Sequence, residues 1–240
     1  MRINEVLDHT YLPMHIPGLK PSDYLKTTPE AYNQKLIEYL RTNCDPWLKA
    51  TAYGGYTAYR GVSEGRGSNF AYVNQTRPDR MPRDTGKFRH NAFNAMFTAL
   101  GSKANRSNSV FVTGSIDKAS YYGTVFVIFP IGAFDYVWST KHDLHDLLNF
   151  THDFWFQYLK KPTILDPKDI SMANTGDIRW DDPNVYSPKK LSSMFKVNQG
   201  LQSALTDNGG LAEVMVHCDS AVYVPFKLYN DSIRNGLVVI

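Results

Sequence analysis

Residues 209–224, "GGLAEVMVHCDSAVYV", contain two apolar runs of strand length separated by a short polar turn. The runs "LAEVMVHC" and "AVYVPFKLY" are rich in β-branched and aromatic residues, which predicts two strands behind the glycine turn "TDNGG". One acidic residue, Glu213, opens the first strand. A glutamate in such a place is ordinarily an exposed strand-end residue, so this stretch alone indicates sheet structure and leaves function open.

Outward from this stretch, the chain alternates between strand and helix patterns. Apolar residues at helical spacing predict a helix over 29–43, with Pro29 in its first turn, and another over 86–101 that stops at Gly101. The other predicted strands lie near 56–60 and over 109–115, 124–132 and 134–139, the last continuing its predecessor or pairing with it. The other predicted helices cover 117–123, 141–159 and 189–205, and predicted loops cover 63–86 and 160–190.

This order of elements, helix first and then strands with inserted helices, predicts an α+β fold. No internal repeat and no dividing linker is found, so we expect a single domain over 1–240, with an N-terminal arm and helix over 1–45 and a core over 50–230. Hydrophobic residues make up 42% of the chain, which is enough for a packed core.

Composition also predicts the compartment. No apolar run is long enough to span a bilayer, and the N-terminus lacks the apolar segment of a signal peptide, so we expect a soluble, cytoplasmic protein without membrane partners. The two isolated cysteines, Cys44 and Cys218, argue against a disulfide framework and against a cysteine-rich zinc site.

Basic residues are concentrated in one part of the chain. Residues 60–106 contain nine Lys or Arg against three acids, a net charge of +6 in a chain whose total is +3. Such a patch suits a phosphate-bearing ligand or partner, or is simply a solvated surface. Its loop at 77–89, "RPDRMPRDTGKFR", is predicted either to contact phosphates or to recruit an acidic partner.

Several catalytic and metal-binding patterns are not met. A cluster of histidines and aspartates lies on the predicted helix at 141–159, but its spacing lacks the glutamate base of a zincin, so a surface helix is preferred and no metal is expected. The cluster consists of His142, His145, His152, Asp143, Asp146 and Asp153. The chain contains no G-x-S-x-G elbow and no P-loop.

Three stretches remain that combine a strand end with polar residues. The first is "AYRGVSEG", residues 58–65, in which an arginine stands between an aromatic residue and a glycine. The second is "FVTGSIDKASYY", residues 111–122, in which Thr113 and Ser115 close a strand and a short helix follows. The third is Glu213, which precedes the apolar run "VMV".

In this order the three stretches resemble the R-S-E arrangement of the ADP-ribosyltransferases, and in particular the phage-type mono-ADP-ribosyltransferases that modify host proteins. "YRGV" is similar to their aromatic-Arg-Gly motif, "TGSIDKASYY" to their Ser-x-Ser motif with Thr113 as the first residue, and "EVMVHCDSAVYV" to their glutamate motif. The resemblance covers roughly residues 56–62, 109–128 and 206–225 and leaves the rest of the chain unassigned.

The resemblance implies a split β-sandwich core, NAD as substrate, and cleavage of its nicotinamide–ribose bond. Glu213, Arg60 and Ser115 would be catalytic, with Glu213 stabilising the positive charge that develops on the ribose. Arg60 would bind phosphate or ribose oxygens, and Thr113 and Ser115 would shape the nicotinamide pocket with a hydroxyl towards the ribose or Glu213. The remaining NAD-binding residues implied are Tyr59, which precedes Arg60, Gly61, which lets backbone approach the ligand, and Tyr122 or Tyr121, which would stack on nicotinamide or pack in the core.

The resemblance departs from the family at one position. Members that modify arginine usually carry Glu or Gln two residues before the catalytic glutamate, where this chain has Leu211. The acceptor therefore stays open between a protein, a nucleic acid, a small molecule and water, as does the oligomeric state. The alternatives are a nucleic-acid-binding protein that uses the basic patch, and a structural virion protein that keeps the fold without turnover.

Overall fold

The computed structural model describes residues 14–19, 28–52, 55–63, 70–80, 87–140 and 195–238. Its helices are α1 (Pro29–Asn43), α2 (Asp45–Ala50), α3 (Lys87–Ala99), α4 (Ile116–Ser120), α5 (Leu201–Thr206), α6 (Phe226–Leu228) and α7 (Arg234–Val238), with a 3₁₀ turn at Asp207–Gly210 and a π-helical turn at Tyr229–Ile233. Its strands are β1 (Met14–His15), β2 (Tyr59–Val62), β3 (Tyr72–Gln75), β4 (Val110–Val112), β5 (Thr124–Pro130), β6 (Asp135–Ser139), β7 (Phe195–Val197), β8 (Val214–His217) and β9 (Ser220–Pro225). This mixture of helices and antiparallel sheets confirms the α+β class.

The described strands form two antiparallel sheets. The first sheet has the order β1-β3-β9-β5-β2 and the second the order β4-β8-β6-β7. The inner strands β5 and β9 of the first sheet are almost wholly buried, as their apolar runs predict. Buried side chains of both sheets belong to one continuous core cluster.

Two of the connections between the sheets are short turns. The turn between β8 and β9 joins the second sheet to the first, and the turn after β5 leads to β6 in the second sheet. The expectation that 134–139 continues or pairs with 124–132 was therefore wrong, because β6 pairs with β7 and β8 instead. The chain leaves the first sheet at Gly132, whose φ of 70° is accessible to glycine at little cost.

The helix at 29–43 is confirmed with its predicted bounds. Thr28 is the N-cap and accepts a hydrogen bond from the Ala31 amide, and Pro29 occupies the first turn, where no intrahelical N–H partner is needed. The apolar face of α1 buries Leu36 and Leu40 completely. The helix predicted over 86–101 is likewise found, as α3.

Three segments form a different kind of element from the one that the sequence predicted. The predicted loop 63–86 contains β3, which pairs with both β1 and β9. The predicted helix 189–205 is a strand at 195–197 followed by α5, because Asn198 and Gly200 have positive φ and interrupt any helix. The last strand ends at Pro225 and α6 follows at once, whereas the sequence predicted strand as far as 229.

Some of the sequence predictions concern residues that the structure does not describe. The predicted helix at 141–159, its histidines and aspartates, and the loop at 160–190 lie outside the described residues. In the part of the chain that is described, no helix is both long and apolar enough to cross a membrane. Both cysteines are buried thiols, and burial raises the pKa of Cys44 to about 12 and that of Cys218 to about 11.

Candidate functional site

The edges of the two sheets meet at Tyr59 and Thr113. The Tyr59 amide donates to the Thr113 carbonyl at 2.7 Å, and the Thr113 amide donates to the Tyr59 carbonyl at 2.9 Å. The outer strand β2 of the first sheet is thereby joined to the chain just beyond β4 in the second. The Tyr59 ring packs edge-on against Phe226, with ring centroids 5.7 Å apart, so it contributes to packing at this junction.

A tight turn at 113–115 is fixed against the turn that leads to Glu213. The Thr113 hydroxyl donates to the Gly210 carbonyl at 2.7 Å, and the Gly114 amide donates to the same oxygen at 2.9 Å. A Cβ on Gly114 would lie 1.8 Å from the Leu205 carbonyl oxygen, so only glycine fits between the two turns.

Ser115 begins the short helix α4. Its hydroxyl is the N-cap and accepts a hydrogen bond from the Lys118 amide at 3.2 Å. The Lys118 ammonium in turn donates to the Leu211 carbonyl at 2.7 Å, two residues before Glu213. The described contacts of the Thr113 and Ser115 hydroxyls therefore serve the turn and the helix, where the sequence predicted a hydroxyl towards ribose or Glu213.

Arg60 connects the two sheets through its side chain. It lies in β2 opposite Phe126 of β5, and its half-buried guanidinium donates to the Phe111 carbonyl in β4 at 3.0 Å. The sequence predicted a strand that ends near Arg60, whereas β2 begins at Tyr59 and continues to Val62, so Arg60 lies within the strand and its side chain reaches the second sheet.

Glu213 lies immediately before β8, whose first residue, Val214, pairs with Val112 of β4. Its side chain is 18% exposed, and one carboxylate oxygen, Oε1, lies 3.5 Å from Nη1 of Arg106, which is 13% exposed. The predicted catalytic carboxylate is therefore held next to a cation in a largely shielded place.

Three arginines, Arg60, Arg80 and Arg106, gather around Phe111, and we call them the arginine cluster. The guanidinium carbon of Arg80 lies 4.4 Å from the centroid of the Phe111 ring, and that of Arg106 lies 5.2 Å from it. Both distances are within the range of cation–π attraction. Together with the Arg60 hydrogen bond to the Phe111 carbonyl, these contacts bring all three cations to one strand.

Within the arginine cluster, burial and the neighbouring cations disfavour the positive charge of Arg80. Burial, followed by the neighbouring Arg60, lowers the pKa of Arg80 to about 9, and Glu213 opposes this shift. Among the described residues, three guanidinium groups thus lie close to one carboxylate, that of Glu213. Such a place attracts anions.

His90, on α3, lies close to the same cations. Burial, then Arg106 and Arg80, lower its pKa to about 4, so the imidazole is neutral at physiological pH. One ring nitrogen, Nε2, is hydrogen bonded to the Ser107 hydroxyl at 2.8 Å. His90 therefore adds no charge to the arginine cluster.

Close packing against α4 explains why residue 61 is a glycine. A Cβ at this position would lie 2.0 Å from the Ala119 carbonyl oxygen and 2.8 Å from the Cβ of Tyr122. The close approach is made by α4, where the sequence predicted a ligand. The two tyrosines beside it, Tyr121 at 86% and Tyr122 at 58% exposure, lie at the surface, so packing in the core does not explain either ring.

The sequence interpretation missed His90, and it included Arg80 and Arg106 only as members of the basic patch over residues 60–106. The signal was the excess of basic residues over 60–106, which shows charge but not burial. Only the fold separates Arg80 and Arg106, both beside Phe111, from the more exposed Lys103, which pairs with Asp135 at 3.4 Å.

Comparisons with protein-family models, with curated proteins and with solved structures find no match for this chain. Within the described ranges, no group of three or more His, Cys, Asp or Glu side chains is arranged to hold a metal ion.

Proposed function

We propose that this protein is a mono-ADP-ribosyltransferase, with the split β-sandwich core of that class. It would cleave the nicotinamide–ribose bond of NAD and transfer ADP-ribose to a macromolecular acceptor, as a phage protein that acts on host targets in the host cytoplasm. One observation carries the proposal. Arg60, the turn at 113–115 and Glu213 are far apart in the sequence, yet they converge where the two sheets meet.

The charge of the arginine cluster supports a dinucleotide as ligand. Among the described residues the cluster places three guanidinium groups beside one carboxylate, and the diphosphate of NAD carries two negative charges. Arginine is suited to this task because its planar fork donates two parallel hydrogen bonds to phosphate oxygens. We assign Arg60 and Arg80 to the diphosphate, and Arg80 gains most because an anion offsets the cost of its burial.

Glu213 supplies the chemistry of bond cleavage. As nicotinamide leaves, positive charge develops on the ribose, and a carboxylate that accepts a hydrogen bond from the 2′-hydroxyl stabilises that charge. Nicotinamide departs as a neutral molecule, so no general acid is required. The rings of Tyr121 and Tyr122 are exposed, and one of them would stack on nicotinamide.

The test is incubation with labelled NAD and a cell lysate, with free nicotinamide and labelled macromolecules both measured. Glu213→Gln keeps the shape of the side chain and removes its charge, so we expect nicotinamide release to fall by about 10²-fold or more. Glu38→Gln, an exposed glutamate on α1, is the matched control and should retain full activity.

Each result has a defined meaning. Label transferred by the wild type and lost in Glu213→Gln supports the transferase, and the labelled fraction identifies the acceptor class. Nicotinamide release without transfer indicates an NAD glycohydrolase. A folded protein that consumes no NAD contradicts the proposal, and salt-sensitive nucleic-acid binding that Glu213→Gln leaves intact would then favour a nucleic-acid-binding protein.

A further inference from the structure

We propose that Arg106 is the positioning residue for the Glu213 carboxylate, whereas the sequence placed a hydroxyl of Thr113 or Ser115 towards the ribose or Glu213. This inference rests on the proposed function. It concerns a residue outside the three stretches that carry the resemblance, because Arg106 lies in the loop between α3 and β4.

The pair itself is the first observation. Nη1 of Arg106 lies 3.5 Å from Oε1 of Glu213, and both side chains are largely shielded from water. Partial burial weakens screening, so an ion pair here acts more strongly than one at the surface. Engaging one carboxylate oxygen restricts the rotation of the group and so limits the directions that the second oxygen can take.

Arg106 is itself held in place, which a positioning residue requires. Its amide donates to Asn94 Oδ1 at 2.8 Å, so the backbone is tied to α3. Its guanidinium lies between two aromatic rings, 5.2 Å from the centroid of Phe111 and 5.7 Å from that of Phe93. A side chain anchored at both ends loses little further entropy when it holds a partner.

The hydroxyls of Thr113 and Ser115 form hydrogen bonds to groups other than Glu213. Thr113 donates to the Gly210 carbonyl, and Ser115 caps α4 through the Lys118 amide. The Thr113 hydroxyl has a single proton, and donating it to the carboxylate would give up the buried hydrogen bond to Gly210. Arg106 provides the orienting contact without that loss.

A positioning role predicts a particular kinetic signature. Arg106→Gln should lower kcat for NAD cleavage by about 10- to 100-fold and change KM by less than about threefold, because the interaction is used in the transition state. Arg106→Lys should recover part of kcat, since it restores the charge but not the planar fork. Arg234→Gln, which replaces an exposed arginine on α7, is the control and should match the wild type.

Additivity supplies the second readout. In a Glu213→Gln background, Arg106→Gln should cause no further loss of kcat, and the unfolding free energies of the single and double variants should be non-additive. A raised KM with unchanged kcat would make Arg106 a ligand-binding residue and overturn the inference. Additive unfolding free energies would also overturn it while NAD cleavage by the wild type still stands, whereas a wild type that consumes no NAD removes the proposed function itself.

Discussion

Gly61 is the glycine of the "YRGV" motif. Replacing it by alanine tests whether this glycine is needed for packing against α4 or for the approach of a ligand. The added Cβ would lie 2.0 Å from the carbonyl oxygen of Ala119 in α4, where an ordinary van der Waals contact begins at about 3.4 Å. The helix must therefore retreat by about 1.4 Å, or β2 must bend by a similar distance. The atom in the way is backbone, so no side-chain rotation relieves the contact.

Overpacking of this kind costs roughly 1–3 kcal/mol, and backbone contact this short favours the upper end. A loss of about 3 kcal/mol lowers Tm by about 6–12 °C in a chain of this size. The displaced α4 also carries Ser115 at its N-cap, so NAD cleavage should decline together with stability.

Thermal and urea unfolding monitored by circular dichroism measure the effect. Gly55→Ala is the matched control, because a Cβ there meets nothing nearer than 3.3 Å, and we expect its stability within about 1 kcal/mol of the wild type. If Gly61→Ala is as stable as Gly55→Ala, the packing explanation is refuted. Normal stability with lost NAD binding would instead restore the ligand-access interpretation.

Three further predictions follow from the surroundings of the arginine cluster. The pKa of His90 is lowered from 6.5 to about 4, so the unfolded chain binds more protons between these values, and stability should fall by about 3 kcal/mol as pH drops through that window, as followed by urea unfolding. Thr113→Val should cost about 0.5–1.5 kcal/mol in the same assay, because it removes one of the two hydrogen bonds to the Gly210 carbonyl, which keeps the Gly114 amide as donor. Ser115→Ala should cost about 1 kcal/mol through loss of the cap on the Lys118 amide, and Ser115→Asp should restore it.

Each of these has its own control. His90→Gln does not titrate, so an equally steep acid loss in that variant would assign the effect to another group. Thr113→Ser keeps the hydroxyl that donates to Gly210 and should lose less stability than Thr113→Val; equal losses would contradict the role of that hydrogen bond. If Ser115→Asp unfolds as readily as Ser115→Ala, capping is not what Ser115 contributes.

Much of the local structure could be predicted from the sequence because it depends on neighbouring residues. The start of α1 follows from a threonine cap followed by proline, and both act within one turn. The buried strands β5 and β9 follow from continuous apolar runs. The error at 189–205 has a local cause as well, since left-handed backbone at Asn198 interrupts a pattern that is otherwise compatible with a helix.

Only part of the candidate site could be predicted from the sequence. Arg60, Thr113 and Glu213 were selected by their order along the chain, and the fold brings their segments together. Arg106 was not selected, because nothing in its neighbours indicates that it faces a carboxylate more than a hundred residues later.

The sequence by itself determined the α+β class, the bounds of α1, the apolar strands and the excess of basic residues over 60–106. These depend on propensity, periodicity and charge, which are properties of short windows. Tertiary structure alone decided that β5 and β6 belong to different sheets, that α4 occupies the space beside Gly61, and that Arg106 pairs with Glu213. Such facts depend on which distant segments pack together, and packing is settled by the burial of the whole core and not by any one stretch.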